Sequence, residues 1–290
     1  MKSKWWAPYA FLAIPLTVYT VWVIVPIFRT MILSFTDWDG LSASYNFIGL
    51  RNFLALFHDR VFLTSLINNV KWLVGFSLVA VPAGLGLAML FNRQLRGASV
   101  FKTMIFLPMT LSFVVIGQMW SWILEPRQGI LNMVLRALGL GAIAKPWLSD
   151  PAIVTYALIG VALWRQISYS MILFLAGLKN VSPALVEAAY VDGAGAWQRF
   201  WYLVLPLLRP ATIIAVTVNI IDSLRAFDII YVMTRGGPFY SSSVMANYMY
   251  IEAFNNYRMG YGSAIAVIQF IITFGFIAVY IIHSLRGEEK

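Results

Sequence analysis

Six long apolar stretches alternate with polar segments along the chain. They cover about residues 6–33, 62–91, 101–124, 152–175, 207–233 and 261–285. Each is longer than the roughly 20 apolar residues that an α-helix needs to cross a bilayer. The pattern predicts an all-α, polytopic membrane protein with six transmembrane helices in one domain, residues 1–290. The first stretch is longer than a signal-peptide core, and no small-x-small cleavage pattern clearly follows it, so we expect it to be retained.

The polar segments fall into two sets, because six crossings return the chain to its starting side. Residues 36–61, 125–151 and 234–260 form loops on the side opposite the termini, with a short helix predicted at 130–138. The basic connector 92–97 lies on the side of the termini. That side has ten Lys and Arg residues, and the opposite loops have seven. Cytoplasmic loops are enriched in these residues, so the bias favours cytoplasmic termini.

The composition excludes several classes of protein. Hydrophobic residues make up 60% of the chain and charged residues 11%, whereas soluble domains average about 25% charged residues. The chain has no cysteine and only two histidines, His58 and His283, so we expect no disulfide and no metal centre. Motifs for phosphate binding, a serine nucleophile or zinc catalysis are also absent from the sequence. We therefore expect no catalytic residue and no cofactor, and we attribute the formal charge of +9 to membrane orientation rather than nucleic acid.

The segment 182–210 is the one long stretch between apolar runs that combines polar residues, small residues and helix signals. Ser182 is placed to cap a helix, with Pro183 at its first position. Asp192 and Gly193 are suited to end that helix with a left-handed residue. A second helix is predicted at 197–205. The residues alone are compatible with an amphipathic connector at the membrane surface or with a docking element.

A resemblance to a known family favours the docking element. Residues 187–194 read Glu-Ala-Ala-Tyr-Val-Asp-Gly-Ala and are followed by Leu205-Pro206. This spaced pattern resembles the "EAA" loop in the permease subunits of ABC importers. In that family the loop, about residues 177–206 here, contains a cytoplasmic coupling helix that docks into a separate ATPase subunit. The resemblance implies ATPase contact by Glu187, Ala188, Ala189, Asp192, Gly193 and Ala194.

Polar residues inside the predicted spans are the next signal, because each charge near the bilayer centre costs about 2.5–3.5 kcal/mol on insertion scales. In the fifth span, the charged residues Asp222, Arg225 and Asp228 are spaced by three and would share a stripe about 120° wide on one helix. This stripe would face a water-filled path or a partner helix. The alternative is structural, with ion pairs between residues three apart. The substrate-path candidates are Asn69, Gln118, Trp120, Trp164, Arg165, Asn219, Asp222, Arg225 and Asp228.

A second resemblance narrows the class. Residues 224–238 read Leu-Arg-Ala-Phe-Asp-Ile-Ile-Tyr-Val-Met-Thr-Arg-Gly-Gly-Pro and are similar to a segment of sugar-type ABC permeases. Those proteins usually have glycine where Arg235 stands. The similarity extends from about residue 49 to residue 264. The chain resembles the first permease subunit of maltose-type and glycerol-3-phosphate-type importers, with the transmembrane domain of a type I ABC importer.

This resemblance implies a permease in the bacterial inner membrane that forms half of the translocation pathway for a carbohydrate. Its expected partners are a second homologous permease, two ATPase subunits that bind ATP and Mg²⁺, and an extracytoplasmic solute-binding protein. The loops near residues 47–53 and 235–240 would meet that binding protein. One rival is an ion-coupled secondary carrier that acts without an ATPase, for which we find no internal inverted repeat. An intramembrane enzyme and a non-catalytic scaffold are two further alternatives.

Overall fold

The computed structural model describes residues 7–92 and 98–286. Within these ranges the regular structure is helical, apart from an isolated antiparallel bridge between Thr36 and Phe47. The basic residues Lys2, Lys4, Arg93, Arg96 and Lys290, which contribute to the charge bias, lie outside the described residues. The α-helices are α1 (Ala7–Tyr19), α2 (Val25–Leu33), α3 (Arg51–Leu56), α4 (Arg60–Gly75), α5 (Val81–Phe91), α6 (Ala98–Thr110), α7 (Phe113–Ile123), α8 (Ile130–Ala137), α9 (Val154–Leu178), α10 (Pro183–Val191), α11 (Ala196–Arg199), α12 (Leu205–Leu207), α13 (Arg209–Leu224), α14 (Asp228–Met233), α15 (Met245–Tyr250) and α16 (Met259–Arg286).

Three π-helical turns occur shortly before prolines. A proline inside a helix lacks an N–H group, and its ring collides with the carbonyl four residues earlier. The wider π turn gives that carbonyl more room, and such local adjustments are a known way for membrane helices to tolerate proline. The helices therefore continue through these prolines. The turns are Thr20–Ile24, Phe76–Ala80 and Phe200–Val204, and the prolines that follow them are Pro26, Pro82 and Pro206.

Four predicted spans are continuous helices that are long and apolar enough to cross a membrane. They are Phe11–Leu33, Arg60–Phe91, Val154–Leu178 and Met259–Ile282. The predicted third span at 101–124 is a bent pair of helices, Val100–Thr110 and Phe113–Ile123, which meet at an angle of 103°. Ser112 starts the second of these helices with an extended backbone, and its Oγ accepts a hydrogen bond from the Val115 N–H at 3.3 Å.

The predicted fifth span also belongs to a bent pair. Ala196–Leu207 and Arg209–Met233 meet at 71°. By length and composition, the described residues therefore contain four helices able to cross a membrane, or up to six if each bent pair forms one span. The short helix predicted at 130–138 is confirmed as α8.

The segment 234–260 is more ordered than the predicted loop. It contains α15 and a π turn, Ile251–Asn255. The turn at its start has Arg235 at φ 52° and Gly236 at φ 88°. Left-handed backbone is costly for residues other than glycine, which gives a reason for the glycine that sugar-type permeases usually have in place of Arg235.

The contacts within the chain divide it into two compact units. One comprises Met1–Leu63 with Tyr248–Ile271, and the other comprises Thr64–Asn247 with Ile272–Lys290. Residues 1–6 of the first unit and residues 93–97 and 287–290 of the second lie outside the described ranges. The single functional domain predicted for residues 1–290 stays a prediction.

Helix α9 is at the centre of the larger unit and packs against α5, α6, α7, α13 and α14. Helix α5 approaches α9 closely at Gly84. A Cβ atom added at Gly84 would lie 2.8 Å from the backbone nitrogen of Met171. The absence of a side chain at Gly84 therefore allows the two helix backbones to meet, as is common between membrane helices.

Two adjacent asparagines attach α4 to the first residue of α15 and to the segment before it. The Asn68 side chain is fully buried, and its Nδ2 donates to the Ser241 carbonyl at 2.7 Å and the Ser243 carbonyl at 2.8 Å. Asn69 Oδ1 accepts from the Met245 N–H at 2.8 Å. These bonds satisfy backbone groups that would otherwise be buried without partners.

In the smaller unit, Asp59 precedes α4 and collects several hydrogen bonds. The hydroxyls of Tyr248 and Tyr261 donate to its Oδ2 at 2.5 and 2.6 Å, and its Oδ1 accepts from the N–H groups of Val61 and Phe62. Burial opposes ionisation most strongly, but these donors outweigh it and hold the pKa of the Asp59 carboxyl below its ordinary value. Burial and the Asp59 carboxylate together raise the pKa of Tyr248.

Candidate functional site

A cavity of about 370 Å³ in the larger unit brings together four of the predicted substrate-path residues. They are two cations and two anions: Arg165, Arg225, Asp222 and Asp228. Aromatic rings form much of the remaining wall, where one face of a sugar could stack while its hydroxyls meet polar groups. The remaining lining residues are Trp72, Phe76, Phe113, Tyr169, Val218, Ala226, Phe227 and Ile229.

The charged residues of the fifth span, Asp222, Arg225 and Asp228, do not lie on one helix as predicted. Helix α13 ends at Leu224, Arg225 has φ −98° and ψ 9°, and Phe227 has φ −146° and ψ −59°. Asp222 and Asp228 therefore belong to different helices, and the prediction of one continuous helical stripe is wrong. The break itself turns residues 225–228 toward the cavity.

The ion pairs considered for this stripe are not formed. No ion pair joins Arg225 to Asp222 or to Asp228 in the part of the chain that the structure describes. Asp222 instead accepts a hydrogen bond at 3.1 Å from Nε2 of Gln166, which is fully buried. The Asp222 carboxylate is thus supported from the side of α9.

Arg165 is positioned by an aromatic ring. Its guanidinium carbon lies 4.4 Å from the centroid of the Phe113 ring, a cation–π distance. Its Nε is buried and has no hydrogen-bond partner among the described residues. Because buried polar groups are normally hydrogen-bonded, the Arg165 Nε–H group favours a bound molecule that places a hydrogen-bond acceptor beside it.

The other five candidates lie outside the cavity. Asn69 is buried, and its Nδ2 donates to the Leu224 carbonyl at 3.2 Å. Asn219 is also buried and donates to Ser170 Oγ at 3.0 Å, which connects α13 to α9. Both amides thus take part in helix packing.

Trp120 and Trp164 form an edge-to-face pair with ring centroids 5.9 Å apart. Trp164 is partly exposed, and Gln118 is exposed. A role for these five candidates in substrate contact stays a prediction.

The aromatic side chains that line the cavity were not predicted from the sequence. Trp72 and Phe76 are four residues apart, a spacing that places them on one helix face, and their rings are 5.5 Å apart. Tyr169 follows Arg165 by the same spacing on α9. This periodicity was a usable signal, but it is also that of an ordinary packed helix face.

The predicted coupling helix is α10. Ser182 has the extended backbone of a cap residue, but its side chain makes no capping hydrogen bond. At the other end Gly193 has φ 82°. The Gly193 N–H donates to the Tyr190 carbonyl and the Ala194 N–H donates to the Ala189 carbonyl, both at 3.0 Å. These two bonds make a Schellman motif, which needs a left-handed residue.

The chain then turns directly into a second helical segment. The Gly195 N–H donates to Gln198 Oε1 at 2.8 Å, and α11, a π turn and α12 follow. No residue of α10 is buried. We call this segment the elbow (residues 182–207). Its most exposed large apolar and aromatic side chains are Tyr190, Val191, Trp197 and Tyr202.

The smaller unit has a second pocket, of about 350 Å³, that includes Trp38, Arg51, Tyr257 and Arg258. Arg258 is paired with Glu252 at 2.8 Å and lies over the Tyr261 ring. Tyr257 is 55% exposed and has a left-handed backbone, with φ 52°. Part of the predicted surface at 47–53 lines this pocket.

Comparisons with known proteins identify similar chains. The profile of the family described as "Binding-protein-dependent transport system inner membrane component" matches residues 80–286. A probable ABC transporter permease of Pyrococcus horikoshii is 38% identical over 280 residues, which cover 97% of this chain and 96% of that protein. The trehalose/maltose transport system permease protein of Thermococcus litoralis is 33% identical over 273 residues, which cover 92% and 89%.

A solved structure is also similar. The crystal structure of a bacterial ABC transporter involved in the import of the acidic polysaccharide alginate matches with a TM-score of 0.85 and 22% sequence identity. The match covers 97% of this chain and 96% of that chain. This likeness confirms the predicted fold, the helical transmembrane domain of a type I ABC importer.

Proposed function

Because this chain belongs to the family of inner membrane components of binding-protein-dependent transport systems, we propose that it forms half of the translocation pathway of an ATP-driven carbohydrate importer. The family is one of transport components rather than enzymes. A second homologous permease would supply the other half. The relative named for trehalose and maltose transport supports a carbohydrate as cargo.

The proposal depends most on the elbow. Its helix α10 is unburied, it ends in a left-handed glycine, and it carries the residues that resemble the coupling loop. We propose that Glu187, Ala188, Ala189, Asp192, Gly193 and Ala194 dock on a separate ATPase subunit that binds ATP and Mg²⁺. Closure of the two ATPases would then move α10 and open the pathway outward. This arrangement requires cytoplasmic termini.

The cavity supplies a site for the cargo. Arg165 and Arg225 offer donors, Asp222 and Asp228 offer acceptors, and the neighbouring rings offer faces for sugar C–H groups. An extracytoplasmic solute-binding protein would deliver the carbohydrate, with residues 47–53 and 235–240 as its contact surface.

Reconstituted transport tests the function. The complete complex, purified with the subunits encoded beside this chain, would be placed in liposomes with radiolabelled maltose, trehalose or glycerol 3-phosphate. We expect import of one of the two sugars that requires ATP and the binding protein. Uptake by this chain alone, driven by an ion gradient, would refute the proposal and favour a secondary carrier.

Cross-linking tests the docking surface. The chain has no native cysteine, so single-cysteine variants have a clean background. Val191→Cys, at a residue that is 83% exposed on α10, should cross-link to the ATPase. Phe239→Cys is the matched control, because Phe239 is 91% exposed but lies in the predicted outer surface. Membrane-impermeant thiol reagents should label position 239 from outside the cell and position 191 only from inside. The reverse labelling would overturn the orientation.

Exposed charges of the cavity can be removed at little packing cost. Arg225→Ala and Asp228→Asn should each raise the KM of sugar import or lower its rate, with the complex still assembled. Lys145→Ala is the control, because Lys145 is an exposed cation outside the cavity. Unchanged import in both cavity variants would exclude these residues from the pathway.

A further inference from the structure

The elbow contains a side chain that joins its two helices. Arg199, the last residue of α11, reaches back toward α10 in two ways. Its Nη1 donates to the Ala194 carbonyl at 2.5 Å, and its guanidinium carbon lies 5.2 Å from the centroid of the Tyr190 ring. The first contact is a charge-assisted hydrogen bond and the second is a cation–π contact.

The local backbone bonds do not fix the angle between the two helices. The Schellman bonds close the end of α10, and the bond from Gly195 to Gln198 opens α11. Each motif is internal to its own helix or its flanking turn. No residue of α10 is buried, so packing against the rest of the larger unit does little to hold α10 in place.

The elbow leads directly into the packed core. After α11 the chain runs through the π turn and α12 to Leu208, which is fully buried against Phe174, Ala215 and their neighbours. A push on α10 can reach the core by two routes: through residues 179–182, which connect α10 to α9, and through the joint between α10 and α11. A loose joint would absorb that push by bending at the turn.

We propose that Arg199 is a positioning residue that makes the elbow rigid, so that movement of α10 is passed to the core of the larger unit. This role rests on the proposed function of the elbow as the ATPase-coupling segment. Arg199 acts through the Ala194 carbonyl and the Tyr190 ring. Its removal should uncouple ATP hydrolysis from transport without preventing docking.

The test compares variants of the reconstituted complex, with maltose or trehalose as probe, whichever the wild type imports. Arg199→Ala should lower the ratio of sugar imported to ATP hydrolysed about tenfold, as expected when one charge-assisted hydrogen bond and one cation–π contact are lost. In this variant, ATP hydrolysis measured in the absence of the binding protein should persist. Cross-linking of Val191→Cys to the ATPase should persist as well. Lys179→Ala is the matched control, since Lys179 is an exposed cation close to α10 with no part in the joint.

Substitutions at Tyr190 test the contact between the two helices while the charge of Arg199 is kept. Tyr190→Phe keeps the ring and should keep the wild-type ratio, whereas Tyr190→Leu should lower it. Arg199→Lys keeps a cation but loses the guanidinium fork, and should give an intermediate ratio. Adding Tyr190→Leu to Arg199→Ala should cause little further loss, because both changes break the same contact.

Two failures are distinguishable. If wild-type import needs neither ATP nor the binding protein, the proposed function fails. If wild-type import needs both and Arg199→Ala keeps the wild-type ratio, only the role of Arg199 is overturned. Should Arg199→Ala prevent assembly, Tyr190→Leu decides, and a wild-type ratio in that variant would refute the role.

Discussion

Substitutions at Gly193 can distinguish two effects, which are backbone strain within this chain and contact with a partner subunit. Its φ of 82° is a region that other L-residues occupy at a cost of about 1–2 kcal/mol. A Cβ added there meets no atom of the described chain within 4 Å. The cost of Gly193→Ala within the chain is therefore limited to the backbone.

That cost can be converted into populations. A change of 1–2 kcal/mol shifts an equilibrium about 5–30-fold, here between the capped elbow and one that has lost its two Schellman bonds. Asn adopts left-handed backbone more readily than Ala, so Gly193→Asn should retain more transport than Gly193→Ala. Gly193→Trp adds bulk to the same backbone cost. Any loss beyond that of Ala therefore reports a surface of another subunit.

The assay is ATP-dependent sugar import by the reconstituted complex, with assembly checked by size-exclusion chromatography. We expect import to be highest in the wild type and to fall through Gly193→Asn and Gly193→Ala to Gly193→Trp, while the complex stays assembled. Gly139 is the matched control, because it also has a left-handed backbone, with φ 75°, and open space around its Cβ position. Gly139→Trp should leave import unchanged. Normal import in Gly193→Trp would refute docking at this position.

Three further predictions concern stability, each measured as the thermal unfolding midpoint of the purified chain in detergent. Asn68→Ala should lower the free energy of unfolding by about 1–3 kcal/mol, because two buried carbonyls lose their donor; an unchanged midpoint would contradict this. Arg235→Gly should raise it by about 1 kcal/mol by relieving left-handed strain, and a lower midpoint would show that the arginine side chain stabilises the turn. The third prediction concerns Asp59, whose pKa in the folded chain is below its ordinary value of 3.8. Its ionised form therefore stabilises the fold above about pH 4. This stability is lost as the pH falls through the folded pKa. Asp59→Asn should therefore be less stable than wild type at pH 7 and lose less stability on acidification; parallel pH curves would contradict the assignment.

The local features of the elbow could be predicted from the sequence because they depend on neighbouring residues. Pro183 starts α10, and Gly193 ends it in the left-handed conformation. The tie through Arg199 escaped prediction, since it joins a side chain to a carbonyl five residues earlier across a turn. The geometry of that turn decides whether the two groups meet.

The cavity, too, was predicted only in part from the sequence. Charged residues in an apolar run identified Arg165, Asp222, Arg225 and Asp228 as unusual, because a buried charge has a high cost in any membrane fold. Their assembly in one place depended on the break after Leu224, which a periodic pattern cannot reveal. Helical spacing assumes a continuous helix, and the break interrupts that spacing at residues 225–227.

The sequence by itself determined the apolar stretches, the membrane class and the elbow, because hydrophobic length and local backbone preference act over short distances along the chain. Only the tertiary structure decided the 103° bend in the third span and the aromatic wall of the cavity. The same was true of the roles of Asn69 and Asn219 in helix packing. These features depend on which surfaces pack together, since a bend or a buried amide is stable only where residues distant in sequence satisfy its hydrogen bonds.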